Sequence, residues 1–137
     1  MSRNAPRPHD VILCDDVRQE RNGKLILIGM YVDNVGVFSL PTTLPTLTFV
    51  CKWTQAAGEP IRGRYRVVGP SGAALGEMDV TKIPHAEGAQ ARLTILQLRP
   101  FTFPQAGTYR LVVKPPGGRS RMLYSFGVSL LPKAEGD

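Results

Sequence analysis

Histidine and cysteine are scarce in this chain, two of each among 137 residues, and much familiar chemistry goes with them. His9 sits in a proline-bearing leader and His85 in the loop segment Pro84 to Gly88. No C-x-x-C, H-E-x-x-H or Asp-rich calcium loop occurs, so metal-ligand spacing is missing. Phosphate cradles fail as well: Gly69-Pro70-Ser71-Gly72 has neither the lysine nor the following helix, and Gly117-Gly118 belongs to a hairpin turn. There is no G-x-S-x-G elbow. No cofactor and no metal are therefore expected, and the chain reads as non-enzymatic. Long apolar runs are lacking too; none approaches the roughly 20 residues of a spanning helix, so no membrane partner is expected. Met1 to His9 carries Pro6 and Pro8 without an apolar core and reads as neither signal peptide nor anchor. The expected setting is the cytoplasm, with Cys14 and Cys51 as reduced thiols; a bridge between them is the alternative should their strands bring them face to face.

What the chain does have is turns and strands. Its 14 glycines and 12 prolines recur in pairs and triplets between apolar runs, 42% of residues are apolar and 20% charged, and the length suits one domain with a real core. The expected fold is an all-β, immunoglobulin-like antiparallel β-sandwich of about eight strands, spanning 10–131, with a flexible leader at 1–9 and a flexible tail at 132–137. The net charge of +6 permits an acidic partner without requiring one.

Asp10 to Tyr31 offers the strongest short-range signal, two apolar runs joined by a polar segment ending in Asn22-Gly23. With these two residues at the centre of a type I′ turn, Arg21 opposes Lys24, Val17 opposes Ile28 and Cys14 opposes Tyr31. One face then collects Val11, Leu13, Val17, Ile26, Ile28 and Met30, and the other Cys14, Asp16, Arg18, Glu20, Leu25, Leu27 and Tyr31. Further strands are expected at Val35 to Ser39 (short, on an edge), Thr46 to Gln55, Ile61 to Val68, Ala73 to Asp79, Gln90 to Arg99 and Arg110 to Lys114. Leu47, Phe49, Cys51 and Trp53 should form a buried face, and Met122, Tyr124, Phe126, Val128 and Leu130 should share one face of the last strand. The pattern F-x-F-x-x-x-G-x-Y from Phe101 to Tyr109 resembles the corner of immunoglobulin-like sandwiches, where the tyrosine bonds back to the preceding loop.

Three constellations are candidates for chemistry. Asp15 and Asp16, being adjacent in a strand, point to opposite faces and cannot work as a pair. Asp16, Arg18 and Glu20 share a face with alternating sign, which reads as an exposed ion-pair ladder before a ligand site. Asp15 falls on the apolar side, where a bulge or a capping role for backbone donors is expected. Cys14 as a nucleophile needs His9 or His85 as base, and a neighbouring carboxylate raises its pKa, so a small packing residue is the preferred reading. Arg62, Arg64 and Arg66, at alternate strand positions spanning about 13–14 Å, match successive phosphates or carboxylates, so nucleic acid is a possible partner. The preferred reading is instead charged protection of an edge strand, since no exposed aromatics interleave for base stacking.

C-D-D-V-R at Cys14 to Arg18, G-K-L-I-L-I-G-M-Y at Gly23 to Tyr31, L-P at Leu44-Pro45, K-W at Lys52-Trp53, G-P-S-G at Gly69 to Gly72 and G-T-Y-R-L-V-V at Gly107 to Val113 together resemble a domain-of-unknown-function family of small bacterial all-β proteins. The resemblance runs from about Val11 to Leu130. It implies a sandwich and a bacterial cytoplasmic setting, and it brings no activity or catalytic residue. The expected function is a non-enzymatic binding or assembly module with a protein partner or self-association. An anion or nucleic-acid binder using the arginines, and a small enzyme using Cys14 or the acidic residues, are the alternatives.

Overall fold

A computed structural model describes residue 8 and residues 10–32, 34–54, 62–80 and 91–132. These contain eleven strands, rather than about eight, and no helix. In chain order the strands are β1 (Asp10–Gln19), β2 (Leu25–Met30), β3 (Asn34–Val37), β4 (Thr42–Leu44), β5 (Leu47–Thr54), β6 (Gly63–Val68), β7 (Ala74–Val80), β8 (Ala91–Leu98), β9 (Phe101–Phe103), β10 (Gly107–Lys114) and β11 (Arg121–Leu130). Sheet A has the order β2-β1-β5-β8, sheet B the order β3-β11-β10-β6-β7, and β4 pairs with β9 in a small third sheet. All of the expected leader but residue 8, the segment 56–60, the loop bearing His85, and residues 133–137 of the expected tail lie outside the described residues.

The two large sheets form a sandwich because each carries one row of apolar side chains that water disfavours. In β5, Leu47, Phe49, Cys51 and Trp53 alternate inward and are buried, as their spacing predicts. They meet Tyr65 and Val67 of β6, Tyr109, Leu111 and Val113 of β10, and Phe126 and Val128 of β11. Phe49, Phe103, Tyr109 and Phe126 form the aromatic heart, with Phe103 edge-on to Tyr109 at 5.2 Å between centroids. Trp53 keeps its indole N–H satisfied in this dry setting by donating to Thr94 Oγ1 at 3.0 Å. The corner at Tyr109 forms as the sequence pattern suggests: its hydroxyl donates to the Gln105 carbonyl at 2.5 Å.

Four expectations are corrected. The sheets are not wholly antiparallel, since β3 runs parallel to β11 along the edge of sheet B. The segment from Thr42 to Leu44, outside every expected strand, is a strand because Phe101 to Phe103 lies antiparallel to it. The last strand does not keep its apolar residues in line. Leu111 faces Tyr124 while Val112 faces Met122, and this bulge turns Met122 outward. Leu130, at the strand's end, is exposed as well.

The fourth correction concerns the first hairpin. Its loop has three residues, Arg21, Asn22 and Gly23: the Gly23 N–H donates to the Glu20 carbonyl at 3.0 Å and the Glu20 N–H to the Lys24 carbonyl at 2.8 Å. In this arrangement a turn is followed by one left-handed residue, and Gly23, with φ of 86°, supplies it without strain. The pairing is thereby displaced by one residue. Val17 faces Leu27 instead of Ile28, and Cys14 faces Met30 instead of Tyr31. Because side chains alternate, Ile26, Ile28 and Met30 all move to the face that carries Cys14, Asp16 and Arg18, the outer face of sheet A.

Candidate functional site

β1 divides the two adjacent carboxylates between the faces of sheet A. Asp15 lies on the side of Leu13, where the Tyr31 hydroxyl donates to its Oδ1 in a short hydrogen bond. Its carboxylate fills the space over Gly29, where a Cβ would meet it, and Gly29 adopts φ of 67°. Neither a bulge nor a cap is involved; the phenol satisfies the acid. Burial, and then the Asp15 carboxylate, push the Tyr31 hydroxyl well above the ordinary phenol range.

Asp16 lies on the outer face and gathers groups from β1, from β8 and from the residue just beyond β8. Its Oδ1 accepts from the Val17 N–H at 2.8 Å and from Gln97 Nε2 at 3.0 Å, and Arg99 pairs with it at 3.5 Å. Gln97 Nε2 also donates to Thr48 Oγ1 at 3.1 Å, Thr48 donates to the Asp15 carbonyl at 3.1 Å, and Arg99 donates to Gln97 Oε1 at 3.0 Å. The Val17 N–H first, then Gln97 and the charges of Arg99 and Arg18, hold the Asp16 carboxyl below its ordinary value. The expected ladder of Asp16, Arg18 and Glu20 is thus replaced by a network reaching across to β8 and the residue just beyond it. Arg18 and Glu20 stay exposed at the hairpin end.

Cys14 is fully buried in the middle of this face, its thiol 3.5 Å from the Asp16 carbonyl. Burial, with the charges of Asp15 and Asp16, pushes the thiol up to about 11. At neutral pH it is a protonated packing group. Cys51 projects to the opposite face, into the core, and both cysteines are free thiols. His9 and His85, the bases a nucleophilic Cys14 would need, are outside the described residues. Among the described residues no group of three or more His, Cys, Asp or Glu is placed to hold a metal ion.

The arginine stripe lies on the outer face of sheet B. β6 is not an edge strand, as the charge-protection reading supposed, but runs between β10 and β7; β7 is the edge. Arg64 Nε forms an ion pair with Glu77 Oε1 at 2.6 Å, half exposed. Arg66 donates from its Nη2 to Ser120 Oγ at 3.4 Å, and its buried Nε has no hydrogen-bond partner among the described residues. Arg62 is exposed just before the strand. Register adds Lys114 opposite Arg64 and Arg110 opposite Val68, so this face is basic.

Sequence reasoning missed the outer face of sheet A as a surface. Ile12 opposes Val50 and Val50 opposes Ile95, forming one apolar row across three strands. The next row is Met30, Cys14, Thr48 and Gln97, and beyond it stand Ile28 and Ile26. Met30 is 57% exposed, Ile26 44%, Ile95 42% and Ile28 38%, whereas Cys14, Thr48 and Val50 between them are sunk from water. A sheet with one wet face normally alternates apolar and polar residues. The available signal was in β8, where Leu93 and Ile95 on one phase and Leu96 and Leu98 on the other are all apolar.

These features define an all-β sandwich protein with one apolar and one basic outer face. The chain belongs to a family of unknown function, DUF6941, whose model matches residues 9–121. Comparison with curated proteins found no match. No helix among the described residues is long and apolar enough to cross a membrane.

Proposed function

We propose that this protein is a non-enzymatic assembly module of the cytoplasm that docks a protein partner through the outer face of sheet A. The observation that carries the reading is the exposure of Ile26, Ile28, Met30 and Ile95 on the same face as Val50, Ile12 and Cys14. Isolated exposed apolar residues are ordinary, but three along β2 and one on β8, with apolar Ile12 and Val50 on the strands between, give one face an apolar surface that marks an interaction site. The polar residues within it, Asp16, Thr48, Gln97 and Arg99, are bonded to one another, so covering them with a partner strands little hydrogen-bonding capacity. The pushed-up thiol of Cys14 supports packing over catalysis. The basic face of sheet B supports attraction of anions at long range, but Arg64 is engaged by Glu77.

Lysine substitution at Ile28 and Ile95 tests the reading. The near-ultraviolet circular dichroism of the full chain should stay native in both variants, because these side chains already meet water. Loss of the native spectrum would place them in the chain's own core and overturn the reading. A duplex oligonucleotide mobility shift that disappears on Arg64→Ala and Arg66→Ala would move the function to sheet B and overturn it equally.

A further inference from the structure

The occupant of the outer face of sheet A, we infer, is a second copy of this chain, packed face to face across a two-fold axis; the inference rests on the docking role proposed above. Shape is the first argument. The face has ridges and a trough: Met30 and Ile28 stand out along β2 and Ile95 along β8, while Cys14, Thr48 and Val50 between them are at most 4% exposed. Two copies packed face to face across a two-fold axis cover these exposed side chains with each other's and close the sunk centre between two sheets at about 10 Å separation.

Area is the second. Four strands at about 4.8 Å spacing and a length of about 25 Å cover roughly 480 Å² per copy, so a pair buries about 1,000 Å², the lower bound for a specific interface.

Charge is the third. The face carries Asp10 and Asp16 beside Arg18, Lys52 and Arg99, nearly balanced, so one copy meets another without like-charge opposition. The outer face of sheet B, with Arg64, Arg66, Arg110 and Lys114 offset there by Glu77, keeps a larger net positive charge and is the less favourable face for a second copy. An anionic membrane surface is a poor occupant for the same reason: it would draw the basic face and leave the apolar one pointing away.

Sedimentation equilibrium of the full chain, from low micromolar to millimolar concentration, tests the inference, with Ile95→Lys as the diagnostic variant. Ile95 lies on β8 and Ile28 on β2, the two opposite edges of sheet A about 14 Å apart, so association weakened by lysine at either position reports face packing, whereas strand addition would involve one edge only. The wild type should show twice the chain mass, Ile95→Lys should weaken association at least about tenfold, and Arg64→Ala should match the wild type. Ile95→Ser, which places no charge on the face, should shift association in the same direction by less. A wild type that stays at the chain mass throughout would exclude a second copy, and a dimer indifferent to Ile95 would place the contact elsewhere. Either overturns the inference, whereas the docking reading fails on the separate loss of native spectrum.

Discussion

The carboxylate of Asp15 accepts the phenol of Tyr31 directly over Gly29, joining two residues sixteen positions apart across the first hairpin. Three sequence features that looked independent are one device: an acid on the apolar side of β1, a glycine inside β2, and a tyrosine just past its end.

Removing the phenol leaves a half-buried carboxylate without its donor. Tyr31→Phe should therefore lower stability by about 1–3 kcal/mol in urea unfolding. Gly29→Ala should cost about 1–2 kcal/mol from its left-handed backbone alone, plus the displacement of Asp15. The two losses should not add, because both act through the same carboxylate.

Tyr109→Phe breaks the bond to the Gln105 carbonyl while keeping the ring in the aromatic heart. A loss of about 1–1.5 kcal/mol is expected with native spectra retained, measured by the same urea midpoint.

Asp16 has its carboxyl held below the ordinary value, chiefly by the Val17 N–H. The folded state thus favours the ionised form, and the resulting stability is present above the ordinary carboxylate value and lost as pH falls through the lowered one. Asp16→Asn should flatten the decline of the urea midpoint between about pH 5 and pH 2 relative to wild type.

The two thiols shift the other way, Cys14 up to about 11 and Cys51 up to about 12, both first through burial. Each favours the protonated thiol, so its contribution is intact below the unfolded value near 9 and fades as pH rises towards the folded ones. Native protein at about pH 8 should resist a thiol-reactive disulfide reagent, and unfolding in guanidinium should release both cysteines at once.

Arg64 and Glu77 are an exposed pair, with side chains 57% and 45% accessible. Arg64→Ala should change stability by less than about 1 kcal/mol, and added salt should erase the difference.

Much of the fold could be read along the chain because it depends on local alternation. Leu47, Phe49, Cys51 and Trp53 had to share a face, Asp15 and Asp16 had to part, and Tyr109 carried its corner within five residues. Beyond that, each feature depended on a neighbour that local pattern does not name. Gln97 and Arg99 reach Asp16 from more than 80 positions away, β6 gains strands on both sides, and Met122 turns outward at a bulge opposite Leu111 and Val112.

The first hairpin shows where the boundary lies. Sequence alone determined that two apolar strands meet near Asn22-Gly23, because alternation and turn chemistry act over a few residues. Only the tertiary structure decided whether the loop holds two residues or three. That single residue sent Ile26, Ile28 and Met30 to the outer face of sheet A, since a one-residue slip exchanges the faces of a strand whose side chains repeat every second position.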